Sequence, residues 1–123
     1  MKIYNKLVRD GIPAIIRRSG QVPRTRLLED EPYRACLDEK LREETAEYLE
    51  SHSLEELADI LEVVRAECAA HGWTPEQLEA ARQEKAAARG GFEGRIFLEA
   101  VDDAPAGESI LARIHRIQNG SRG

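Results

Sequence analysis

Three residues, Ser51-His52-Ser53, separate two stretches of helical periodicity in the middle of the chain. Before them, residues 31–50 place Tyr33, Leu37, Leu41 and Tyr48 at i, i+4, i+8 and i+15, the spacing of one helical face, and Pro32 suits the first turn. After them, Ser53-Leu54-Glu55-Glu56 is a capping box. Its Ser hydroxyl accepts from the backbone N–H three residues on, where a Glu stands. A connection this short makes the two helices antiparallel neighbours, so the chain is built around a helical hairpin. The apolar face expected on the second helix is Leu54, Leu57, Ala58, Leu61, Val64 and Cys68, ending at His71-Gly72. A third helix starts at Thr74-Pro75-Glu76-Gln77, with Thr as cap and Pro at the first helical position. It stops at Gly90-Gly91, after Arg89.

Such a hairpin has little with which to build a core. Of 123 residues, 41% are hydrophobic but only 5% are aromatic and 33% are charged. The expected fold is therefore an all-α helical bundle that gains burial by oligomerisation, as a homodimer or homotetramer. Around the hairpin, Pro13 opens a short helical stretch that Gly20 stops, and Arg95 to Val101 reads as a short strand or extended segment near the C-terminus. Residues 1–103 are expected to form the domain. Residues 104–123 form a tail in which Ile110, Leu111, Ile114 and Ile117 fall at helical spacing. A formal net charge of −5 disfavours a nucleic acid polymer or an anionic membrane as partner. There is no run of eighteen apolar residues and no apolar leader, and Cys36 and Cys68 stand too far apart to form a disulfide framework. Together these features predict a cytoplasmic protein with free thiols.

The acids fall in unusual places. At about 100° per residue, Glu44 lies inside the stripe made by Leu37, Leu41 and Tyr48, and Glu47 lies on its flank. On the second helix Glu56 shares a face with Ile60 and Val63, and Asp59 stands at the edge of that arc. Glu-rich helices usually present such residues to water with i,i+4 partners. Here each helix instead turns an i,i+3 acid pair partly toward its neighbour. Burying four carboxylates costs several kcal/mol per ion unless positive charge meets them, and Lys40 is a single charge. A divalent cation with a preference for oxygen, Mg²⁺ or Mn²⁺, answers the need. No His–Cys spacing suits zinc, and no GxxxxGK[ST] loop occurs.

Glu43-Glu44-x-x-Glu47 followed by Glu56-x-x-Asp59 resembles the EExxE…ExxD signature of the all-α nucleoside triphosphate pyrophosphohydrolases, the MazG-like superfamily. Tyr4-Asn5-Lys6-Leu7-Val8-Arg9-Asp10 is similar to the opening of its small house-cleaning branch, as is Arg89-Gly90-Gly91-Phe92-Glu93 to a later segment of it. Gly11 stands where that branch has a lysine, and the tail after Asp103 has no counterpart. The resemblance implies Mg²⁺-dependent hydrolysis of a nucleoside triphosphate to the monophosphate and pyrophosphate. It makes Glu44, Glu47, Glu56 and Asp59 the metal ligands. Glu43 is the motif's extra acid, and Glu43 or Glu47 is the proton acceptor. Candidate phosphate-binding cations are Lys6, Arg9, Lys40, Lys85 and Arg89, each of which is also readable as a solvated surface charge. Trp73 is expected to pack between helices. The alternative to an enzyme is a non-catalytic helical dimer that binds nucleotide or a partner protein and uses its acids for solubility.

Overall fold

A computed structural model describes residues 1–104 and, in the tail, Ile114, Ile117 and Gln118. Among the described residues it contains four helices, α1 (Ile12–Arg18), α2 (Asp30–Ser51), α3 (Leu54–Ala70) and α4 (Pro75–Arg89), and no strand. The chain divides into two compact units, Met1–Pro75 and Glu76–Gly123.

The first unit is the helical hairpin with its N-terminal segment, and α2 packs on α3 within it. The reversal is even tighter than the sequence suggests, because α2 runs through Ser51 and leaves only His52 and Ser53 as the connection. His52 takes a left-handed backbone at φ 53, and its N–H donates to the Tyr48 carbonyl at 2.7 Å. Ser53 then caps α3 as its sequence predicts, its Oγ accepting from the Glu56 N–H at 3.3 Å. At the far end Gly72, at φ +83, lets the chain leave α3, a conformation a side chain would resist. The Trp73 N–H donates back to the Cys68 carbonyl at 3.0 Å. Trp73 itself is 57% exposed and lies beside the His71 ring, so it does not have the burial expected of it.

The α2 face is the predicted one, with Leu37 and Glu44 buried and Leu41 and Tyr48 half-buried. The α3 face is not. Cys68 is buried and Val64 half-buried, but Leu54 is 78% and Leu61 59% exposed, and Leu57 and Ala58 also face outward. The inward line is Glu56, Ile60, Val63 and Glu67, with i+4, i+7 and i+11 spacing. The reason lies in the width of the apolar arc. It wraps too far round α3 for one neighbour to cover, so α2 takes one edge and leaves the other. Buried apolar side chains among the described residues are Leu37, Val63 and Cys68, each contributing about 1.5–3 kcal/mol at most.

α4 begins at Pro75, the last residue of the first unit, and ends within the second, where Gly90, at φ +83, donates its N–H to the Ala86 carbonyl at 2.8 Å. Arg82 pairs with Glu79 on its surface. Ile96, Phe97, Leu98 and Val101 are exposed on irregular backbone, so the expected extended segment is an arm and not a strand. Most of the expected C-terminal helix lies outside the described residues.

Toward the C-terminal end of α3, Glu67 is turned inward with Oε1 buried and unmatched by any donor. Burial, and then the neighbouring Asp38 carboxylate, push its pKa above the ordinary 4.5, while His71 pulls the other way. A carboxyl whose native pKa is raised contributes stability in full below its unfolded pKa, and that stability is lost as pH rises through the native value. Glu67→Gln is therefore expected to melt at a higher temperature than the natural chain near pH 7. The gap should close as pH falls below 4.5, the ordinary value. Melting curves followed by helical circular dichroism across that range check it, and a pH-independent gap contradicts it.

Candidate metal centre

Three carboxylates meet across the hairpin seam. Glu44 comes from α2, and Glu56 and Asp59 come from α3. One oxygen of each lies within 4.8 Å of the others. The local sequence accounts for the convergence. The Ser53 cap sets where α3 begins and puts Glu56 in its first turn, where the helix dipole favours negative charge. Asp59 follows at i+3 on the same side. Glu44 lies three residues short of Glu47, on the last inward turns of α2 before the reversal.

The charges around the group are unequal. Glu44 is 8% exposed. Its Oε1 accepts from Lys40 at 3.3 Å, and its Oε2 is buried with no donor. Glu56 Oε2 is buried and unmatched as well. Asp59 Oδ1 accepts from Arg9 at 2.6 Å. Burial pushes the Glu44 carboxyl above the ordinary carboxylate range. Contact with Glu47 adds to the rise and Lys40 opposes it. A buried acceptor left without a donor loses its hydration and gains nothing in return. The donor set is entirely hard oxygen, with two of its oxygens unmet, and this suits a hard divalent cation.

The other expected site residues are distributed as follows. Glu47 is exposed and touches Glu44 from outside the group of three. Glu43 is held between two lysines, Lys6 at 3.2 Å and Lys40 at 3.6 Å. A cleft of about 490 Å³ opens beside it, between Asn5–Leu7 and α2, lined in part by Lys6, Lys40, Glu43 and Cys36. Lys85 and Arg89 are exposed on α4, in the second unit. Two features escaped the sequence reading. The Arg9–Asp59 pair spans fifty residues and has no local signal. Glu67 did have one, since it continues the Glu56, Ile60, Val63 face at i+11.

No protein-family model and no solved structure matches the chain. A segment of 42 residues is 57% identical to an uncharacterized protein of Mycolicibacterium smegmatis. That segment is 34% of this chain and 43% of the relative, so the chain spans under half of the protein it matches.

A centre of this kind should register the ion as stability. At a free concentration a hundred times the dissociation constant, Mg²⁺ or Mn²⁺ is expected to add about 2.7 kcal/mol. Glu44→Gln should remove most of that rise while keeping the helical signal. Thermal melts with the ion or with chelator decide the matter, and an unshifted melting temperature in the natural chain counts against a metal centre.

Proposed function

We propose that this chain is a metal-dependent nucleoside triphosphate pyrophosphohydrolase of the MazG-like type, acting on canonical or modified nucleotides in a cytoplasmic house-cleaning role. The observation that carries the reading is the convergence of Glu44, Glu56 and Asp59, with two carboxylate oxygens buried and met by no donor. Acids kept for solubility turn outward, and their oxygens find water. Glu44 and Glu56 instead each turn one oxygen inward, where no donor meets it.

Glu44, Glu56 and Asp59 are the residues to hold Mg²⁺, with Mn²⁺ as substitute. Bound there, such an ion offsets phosphate charge and lowers the pKa of a water. The bond that breaks joins the α-phosphorus to the oxygen leading to the β-phosphorus. Water supplies the replacing oxygen, and pyrophosphate leaves. Glu47, exposed and in contact with Glu44, accepts the proton that water gives up. Glu43, paired with Lys6 and Lys40, keeps those two ammonium groups close to the acids. Lys6, Lys40 and Arg9 then meet the departing phosphates.

The proposal includes a dimer or dimer of dimers. The outer line of α3, Leu54, Leu57 and Leu61, is a contiguous apolar strip beside a small core, and a second copy of the hairpin supplies the cover it lacks. Light scattering on a sizing column is expected to give twice or four times the 13.8 kDa chain mass. The double variant Leu57→Glu with Leu61→Glu should give the chain mass itself. A monomeric natural chain refutes this part.

Activity is tested on a panel of canonical and damaged nucleoside triphosphates with Mg²⁺, measuring monophosphate and pyrophosphate together. Turnover is expected on at least one, falling by about 100-fold or more in Glu44→Gln and in Asp59→Asn. Absence of turnover across the panel sinks the enzyme and leaves the helical dimer that binds nucleotide or protein.

A further inference from the structure

The N-terminal segment is tied to the acid centre by a contact that also stands in its way. Arg9 Nη2 donates to Asp59 Oδ1 at 2.6 Å, and Lys6 donates to Glu43 at 3.2 Å. Asn5, just before them, adopts a left-handed backbone at φ 45, which Asn tolerates better than most residues. Both ends of the Arg9 contact are accessible, Arg9 at 55% and Asp59 at 37% exposure. An exposed pair of this kind is formed only a few times more often than it is broken.

Asp59 is thus shared between two roles: partner of Arg9, and one of three carboxylates around a common point. A guanidinium is permanently charged and can only donate. It cannot retreat by losing a proton when a second cation approaches the same small carboxylate. Lys40 differs, because its tie to Glu44 lies within one turn of α2, and no other segment moves if it breaks. Arg9 belongs to a different segment, and its release changes what that segment can do.

We propose that Arg9 is the displaceable counter-cation of Asp59. When the acid centre takes a divalent ion, Asp59 exchanges Arg9 for it, and Arg9 is freed to bind the anionic ligand that accompanies the ion. The inference rests on the reading of Glu44, Glu56 and Asp59 as a metal centre and adds a coupling to it. The ion sets free the positive charge that a phosphate needs, so ion and phosphate favour each other's binding reciprocally.

The test is a calorimetric titration of Mn²⁺ into the full chain, Arg9→Gln and Lys6→Gln. Competition lowers apparent affinity by the fraction of chains in which Asp59 is occupied. Removing an exposed pair should therefore tighten Mn²⁺ binding about twofold to sixfold in Arg9→Gln. Lys6→Gln takes one positive charge from the same segment but away from Glu43, outside the group of three, and should stay close to the natural chain. Equal tightening in both variants reveals a general field effect and overturns the exchange. Unchanged affinity in Arg9→Gln also overturns it, with the metal centre left standing. Absence of binding heat in all three chains removes the metal centre itself and this inference with it. A second readout uses diamagnetic Mg²⁺: the Arg9 side-chain N–H resonance should move to the position of a free arginine on saturation. A resonance that stays in place overturns the proposal, and unchanged circular dichroism in the variants shows that they are folded.

Discussion

A carboxylate in the seam of a two-helix hairpin is the constraint on which the rest of this protein turns. Glu44 has lost most of its water in the seam between α2 and α3. Lys40 answers one of its oxygens and leaves the other unmet. Glu56 and Asp59 converge on it, and burial, with Glu47 beside it, raises the Glu44 pKa. A fold selected for stability alone would place an apolar residue there. On the function proposed above, the position would be a site prepared for positive charge that arrives from outside.

The same hairpin explains why the chain is so little buried. Two helices joined by His52-Ser53 can cover only one strip of each other, while α3 is apolar over a wider arc. The strip α2 covers is the one carrying Glu56 and Glu67, and the purely apolar edge is left outside. Acids inside and leucines outside is costly for an isolated hairpin. It would become reasonable if, as proposed, the inner acids held a cation and the outer leucines met a second hairpin. Chemistry and assembly would then be two consequences of one rotational setting of α3.

The N-terminal segment completes the electrostatics. Lys6 and Arg9 come from a stretch without regular secondary structure, yet each reaches a carboxylate of the hairpin. Their contacts are exposed and weak, whereas Lys40 is largely buried and pairs within its own helix.

Local sequence was enough for much of this. The Ser53 capping box, the Pro75 start and the Gly72 and Gly90 stops delimit the helices to within a residue or two, because caps and terminators act through their immediate neighbours. The i,i+3 acid pairs were legible for the same reason, and three of their four members do meet. Tertiary structure alone decided which side of α3 faces α2, since Ile60 and Val63 on one side and Leu54, Leu57 and Leu61 on the other both offer apolar surface. It also decided that Glu47 stays outside the group, that Trp73 is exposed, and that Arg9 closes on Asp59. Each of these depends on contacts between residues distant in the chain, whose energies no local pattern encodes.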